Sequence, residues 1–431
     1  MGWNLFGMGR GGDTIQEMRK GLFFTLLLLP SFSFSQSLVV DQNGEIRSLK
    51  VAISNANPGD TILVKPGHYK EGNILITKQL VILGEGLPVF DGENKHEIIK
   101  IQANDVVISG LKLINTGRGS IEDIAAIKVS DSKRVRLEGN ILSKTFFGIH
   151  FSNSSDSWII NNHLQSFATG EHEIGNGIHL WKCNNIIIDK NVIEGHRDGI
   201  YFEFVTNSFI TNNRSEKNIR YGLHFMFSHN DEYRNNFFVH NGAGVAVMYT
   251  KNVKMYNNTF EHNWGGAAYG LLLKDIRDSE VINNTFLKNT IGVHLEGVSR
   301  TLFDKNNFRE NGYAIRLQAS CDENVFSQNN FSTNTFDVAT NGTMVLNTID
   351  GNYWDKYQGY DLNHDGVGDV PFRPVNLYAM IVERIPSAVL LWRSFLVLLL
   401  DRAERVIPVV TPENLKDNSP SMKPYDRTQA G

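Results

Sequence analysis

Cysteine is nearly absent from this chain: two residues in 431 exclude a disulfide framework and a four-cysteine zinc site. No uncharged apolar run reaches the roughly 18–20 residues of a membrane-spanning helix. Charge of one sign is not in excess, with 42 Lys+Arg against 46 Asp+Glu, so the basic stripe of a nucleic-acid binder is missing and no nucleic-acid partner is expected. There is no GxxxxGK(S/T) phosphate loop, so the chain itself is not expected to hydrolyse ATP. A mean hydropathy of −0.24 argues against both disorder and a polytopic membrane protein. Proline is scarce, at 11 residues, whereas asparagine is frequent. That mixture points to many short strands joined by asparagine-rich turns.

Residues 1–35 read as a secretory signal. Met18, Arg19 and Lys20 form a basic start, an apolar run follows from Gly21 to Leu29, and Ser33-Phe34-Ser35 offers small residues for cleavage before Gln36. The 17 residues ahead of Met18 do not resemble a signal start, so Met18 is the preferred initiator. The mature chain is expected in the periplasm or outside the cell.

The middle of the chain repeats. A Gly-apolar-X-apolar tetrad begins at Gly148, Gly177, Gly199, Gly222, Gly244, Gly270 and Gly292, with a degenerate copy at Ala314. The intervals are 29, 22, 23, 22, 26, 22 and 22 residues. An asparagine pair trails most tetrads, as at Asn212-Asn213, Asn235-Asn236 and Asn257-Asn258. Alternation at period 2 means strands, and about 22 residues hold three short strands and three turns. The expected fold class is therefore all-β: a right-handed parallel β-helix over 36–376, one coil per repeat, with a C-terminal helical tail. Asparagine at a fixed turn position suits left-handed backbone geometry and bonds to the asparagine of the next coil. Leu49 to Ile53 reads as a capping helix for the open end. The longer intervals mark insertions near 166–175 and 262–268. Cys183 and Cys321 fall six coils apart, roughly 29 Å at the strand spacing, too far to pair; both read as buried structural thiols.

In each tetrad the residues one and three after glycine point inward, so those two and four after it point outward. The outward pairs include His150/Ser152, His179/Trp181, Tyr201/Glu203, His224/Met226, Ala246/Met248, Leu272/Lys274 and His294/Glu296. Stacking brings His224, Met226 and Met248 together, with His229 and Met255 near along the chain. Thioether and imidazole donors suit transient Cu(I); packing at a protein interface is the other reading of these methionines. His150, His179 and His294 read as ordinary polar surface. A glycosidase needs two carboxylates about 5–9 Å apart, but Glu203 and Glu296 are four coils apart, roughly 19 Å, so no enzyme is expected. A polysaccharide lyase or epimerase and a metal-free structural adaptor are the alternatives.

Asp361, Asn363, Asp365 and Asp369 follow the first half of a calcium loop, without its closing glutamate; an Asx-rich turn is the competing reading. Residues 377–410 form an apolar helical segment broken by charges that must cover the solenoid end, dock on a partner or lie in a membrane interface, with Leu391, Trp392, Phe395, Leu398 and Leu399 as the docking candidates. Residues 411–431 read as an extended polar tail.

The blocks IRYGLHFMFSHN at 219–230, NGAGVAVMY at 241–249, AYGLLLKDI at 268–276 and LLDRAER at 399–405 resemble signature segments of the NosD family. The stretch from Asn352-Tyr353-Trp354-Asp355 to Asp369-Val370-Pro371 does so too, and the likeness extends over about 40–425. It implies a periplasmic accessory protein for maturation of nitrous oxide reductase. It also implies partners: the permease and ATPase of an ABC-type transporter, a copper-chaperone lipoprotein and the reductase, with membrane contact through the permease.

Overall fold

In the computed structural model, residues 37–119, 123–167, 170–265, 268–342, 346–392, 394–406, 411–412 and 414–426 are described. The proposed signal, 1–35, lies outside them. The described strands, of two to six residues, pair only with the strand one coil before and one coil after, always in parallel. The described strands make three sheets of 14, 12 and 13 strands. The first sheet runs from Ser37–Val40 to Leu346–Asp350, the second from Ile74–Ile76 to Phe336–Thr340, and the third from His68–Tyr69 to Tyr353–Trp354. The tetrads form the second sheet. This is the parallel β-solenoid that the 22-residue period demands.

Each coil repeats its inward residues on its neighbours, so the core is a set of ladders. In the third sheet Phe238, Phe260, Phe286, Phe308, Phe331 and Trp354 stack with ring centroids 5.5, 4.7, 4.8, 4.9 and 4.1 Å apart. Such pairs add about 0.5–1.5 kcal/mol each beyond the area they bury. The tetrad glycines sit where successive coils touch. A Cβ at Gly244 would come within 2.4 Å of the Gly270 carbonyl oxygen, so only glycine permits that approach.

Two asparagine ladders lock the corners. One passes through Asn140, Asn162, Asn191, Asn213, Asn236, Asn258, Asn284, Asn306, Asn329 and Asn352. Within it, the backbone N–H and side-chain amide of Asn213 both donate to Asn236 Oδ1, at 2.9 and 3.0 Å, and the amide also donates to the Ile188 carbonyl. The sequence suggested one asparagine for both tasks. The fold divides them: Asn212, Asn235, Asn257 and Asn283 take the left-handed conformation, with φ of 55–56°, while the residue after each builds the ladder. The second ladder runs Asn218, Asn241, Asn263, Asn289, Asn311, Asn334, and begins at His196. The His196 ring is buried and neither ring nitrogen has a hydrogen-bond partner.

The ends are covered differently. Helix α1, Leu49–Asn55, buries Leu49, Ala52 and Ile53, and the Glu71 carboxylate accepts the Leu49 and Lys50 N–H groups at its start. At the other end Asp417 terminates the first ladder. Its carboxylate accepts the N–H groups of Gly351 and Asn352, the Asn352 amide and the Trp354 indole, at 2.8–3.2 Å. Burial raises the Asp417 carboxyl above its ordinary range, against the lowering effect of these bonds. Helix α2, Leu377–Arg384, lies on Phe336–Thr340 and is pinned by Glu383 to Arg316, with both N···O distances 2.7 Å. A 3-10 turn, Pro386–Leu391, and helix α3, Phe395–Val406, follow. Cys183 and Cys321 are free and buried, and burial pushes the Cys183 thiol up to about 12.

Two outcomes follow. Asp417→Ala removes the acceptor of four N–H donors at a buried ladder end and should lower stability by about 3 kcal/mol, read as the urea unfolding midpoint. Burial lowers the His196 imidazole to about 4. Between pH 6.5 and 4 the unfolded chain therefore holds a proton that the folded chain refuses, and stability falls as pH falls. His196→Asn, which continues the ladder, should flatten that loss between pH 7 and 5; an unchanged pH slope would count against it.

Candidate functional site

The outer face of the second sheet carries two rows in strict register. The first row, two residues after each glycine, reads His150, His179, Tyr201, His224, Ala246, Leu272, His294, Arg316. The second row, four residues after it, reads Ser152, Trp181, Glu203, Met226, Met248, Lys274, Glu296. The expected juxtapositions are therefore present. The expected exposure of the first row is not.

His150 and His224 are each only 6% exposed, and Ala246, Leu272 and His294 are also buried. The residue preceding the tetrad glycine folds over this row. The Tyr221 ring lies 4.7 Å from His224, Tyr269 lies 5.1 Å from His294, and Phe147 lies 5.9 Å from His150. His150 is consequently not ordinary polar surface, and His179 is half-buried. With Tyr201 and His224 they form a continuous ring ladder, spaced 4.7, 4.8 and 5.0 Å. Nor is His294, which is enclosed beside Tyr269.

Burial sets the electrostatics of this ladder. The His179 imidazole is lowered to about 3 by desolvation, helped by its neighbour His150. The Tyr201 phenol is raised to about 12 by desolvation and then by Glu203. Burial, then the Arg316 charge, lowers His294 to about 4. His224 Nδ1 lies 3.4 Å from Asp198 Oδ2, and Asp198, itself buried, lies 3.8 Å from the Arg220 guanidinium. His224 Nε2 is buried without a hydrogen-bond partner. Asp198, Arg220 and Tyr221 escaped the sequence reading. They precede the tetrads, and only the fold lays Tyr221 over His224 of its own coil and Asp198 beside His224 of the next.

The five candidate copper ligands divide. Met226 and Met248 are register partners on half-buried positions, with His224 two residues before Met226 on the same face. Met255 does not join them: it is fully buried in the first sheet, paired with Tyr233 and Val281, because the chain has turned a corner and the alternation there sends it inward. His229 also lies past the turn, bridged to Thr206, in a groove with Lys251 and Arg277. Desolvation and then the Lys251 charge lower its imidazole. Among the described residues, no group of three or more His, Cys, Asp or Glu side chains is arranged to hold a metal ion, so sulfur is what this face adds. Beside the methionines, Phe204, Phe227 and Tyr249 stack in exposed left-handed turns, 5.4 and 5.1 Å apart. The same turn position holds Asn153, Lys182, Asp275 and Gly297 in other coils. Glu203 and Glu296 stand four register steps apart, and Glu296 pairs with Lys274 at 3.0 Å.

The calcium reading of 361–369 is not supported. Asp361 accepts the Asp365 and Gly366 N–H groups, Asn363 Oδ1 also accepts from Asp365, Asp365 accepts from Val367, and Asp369 accepts from Leu362. The oxygens close an Asx turn on their own backbone rather than converging on a common centre. Leu391, Trp392, Phe395, Leu398 and Leu399 are all exposed, Phe395 by 78%. Among the described residues no helix is long and apolar enough to cross a membrane.

Residues 165–359 match the family model "Periplasmic copper-binding protein (NosD)". A protein of Stutzerimonas stutzeri named "Probable ABC transporter binding protein NosD" is 26% identical over 83% of this chain and 85% of its own. Its namesake in Pseudomonas aeruginosa is 26% identical over 83% and 87%. The Yersinia enterocolitica family 28 exopolygalacturonase superposes with a TM-score of 0.58 at 10% identity, covering 73% of this chain and 78% of its own. That likeness is one of fold.

Proposed function

We propose, from the NosD-family domain at residues 165–359, that this chain is a periplasmic, non-enzymatic copper-handling partner of an ABC transporter. In this reading it assists assembly of the copper centre of nitrous oxide reductase, accepting Cu(I) from a lipoprotein chaperone. The observation that carries the reading is the register pair Met226–Met248 beside His224. Cu(I) is cargo here, and thioether with neutral imidazole is a donor set that suits it. Asp198 faces His224 Nδ1 and leaves Nε2 available, the arrangement in which a carboxylate orients a metal-binding imidazole. His229 and Met255 are left out of the set, and calcium has no part in it.

The transporter contact is assigned to the apolar patch of Leu391, Trp392, Phe395, Leu398 and Leu399. Contiguous exposed apolar surface marks an interaction site, and the Arg316–Glu383 pair fixes α2, the first helix of this segment, to the last coils. The permease is its proposed partner, with ATP hydrolysis left to the transporter's own ATPase.

Cu(I) titration against a chromophoric chelator tests the first part. Met226→Ala with Met248→Ala should weaken binding by roughly tenfold or more, a loss of about 1.4 kcal/mol, with an unchanged unfolding midpoint. Equal binding by both proteins would take the metal role away from this stripe, and no binding by either would leave an adaptor. Phe395→Ser with Leu398→Ser should abolish co-purification with the co-expressed permease, since each buried apolar anchor is worth about 2 kcal/mol. Retention would move the contact elsewhere. Turnover of a uronate polymer would establish the lyase reading instead.

A further inference from the structure

A solenoid has an open end that must be covered. Here the cover is incomplete. The first asparagine ladder is closed by Asp417 and Trp354. The second ends at Asn334, where the Lys356 ammonium donates to the Asn334 and Thr335 carbonyls, at 2.8 and 3.2 Å, and pairs with the buried Asp337 at 3.1 Å. Between these two plugs lies a cavity of about 560 Å³, within the size range of small-molecule sites. Phe336, Tyr357, Phe372, Val375 and Trp392 give it apolar and aromatic walls, and the exposed Val370 and Tyr360 stand at its margin.

One buried side-chain polar atom in this wall has no hydrogen-bond partner. Lys356 and Asp337 neutralise each other. Glu404, the other carboxylate there, accepts the Thr411 N–H and hydroxyl. Arg373 lines the same cavity, and its Nη1 is buried without a hydrogen-bond partner. A buried guanidinium donor left unpaired is costly, and its fork is shaped for a carboxylate. Trp392 belongs to two surfaces at once: it meets Phe336 edge-on in the cavity wall, stacks on Tyr378 of α2, and stands beside Leu391 on the exposed apolar segment. A ligand with an apolar chain and one anionic head satisfies both features.

We propose that this cavity binds a single anionic amphiphile, with its aliphatic chain among the aromatic walls and its carboxylate or phosphate on Arg373. A free fatty acid and a membrane lipid share that chemistry. The site does not depend on the copper reading.

The test is a titration of the full mature chain with 11-(dansylamino)undecanoic acid, read by dansyl fluorescence. Saturable binding of one probe per chain is expected. Val370→Trp, at the exposed margin, should weaken it tenfold or more by filling the cavity. Arg373→Gln should weaken the anionic probe about tenfold while sparing its neutral alcohol analogue, and Arg373→Lys should restore part of the loss. Leu390→Ser, on the exposed helical segment and outside the cavity wall, should change nothing. Displacement by laurate identifies a free fatty acid as the ligand, and displacement by phosphatidylglycerol vesicles identifies a lipid. The proposal is overturned by absence of saturable binding, or by displacement with neither competitor. Binding indifferent to both Val370→Trp and Arg373→Gln overturns it too, as does binding lost in Leu390→Ser.

Discussion

From Asn162 onward, each asparagine of the first ladder uses a single carbonyl oxygen to receive two N–H groups from the neighbouring coil, and its own amide reaches back to a backbone carbonyl. Almost everything else depends on this bond. It fixes the distance and the register between coils, because a slip of one residue would orphan several buried polar groups at every step. With register fixed, like residues stack on like, and the phenylalanine ladder forms in the third sheet. The same constraint also carries chemistry. Met226 meets Met248, and His179 meets Tyr201, only because the corner holds the coils in step.

The second consequence concerns charge. A row of imidazoles on the outside of a sheet would be expected to titrate near neutrality. Here the residues ahead of the tetrad glycines cover the row, and burial keeps His179 and His294 neutral at any ordinary pH. Neutral imidazole is the form that binds metal. The neighbouring methionines Met226 and Met248 remain half-exposed beside the row.

The C-terminal segment does two jobs with one stretch of chain. Asp417 and Trp354 end the first ladder, and α2 closes the outer face of the last coil with Tyr378, Ala379 and Val382. The segment then exposes the apolar patch beyond it. Because α2 is tied by Glu383 to Arg316, whose own position is set by the His294 row, the patch is attached to the same stack of coils that carries the methionines. The cavity arises where these two jobs leave a gap.

Period, alternation and turn chemistry are local properties, and the sequence alone determined what depends on them: the parallel solenoid, the tetrad sheet, the inward ladders, the unpaired cysteines, the capping helix at Leu49–Asn55 and the register that joins His224, Met226 and Met248. Three matters were decided only in three dimensions. His150, His224 and His294 are buried because Phe147, Tyr221 and Tyr269, each preceding a tetrad glycine, fold back over them, and turn angles are not written in a period-2 pattern. Met255 left the stripe because a corner intervened, which resets the inward and outward sense of every later residue. Asp417 closes a ladder whose last member is 65 residues away, and Arg373 faces a cavity walled by segments 37 residues before it and 19 after it. Contacts across such separations are chosen by what remains uncovered when the coils have stacked, and no spacing in the chain records that.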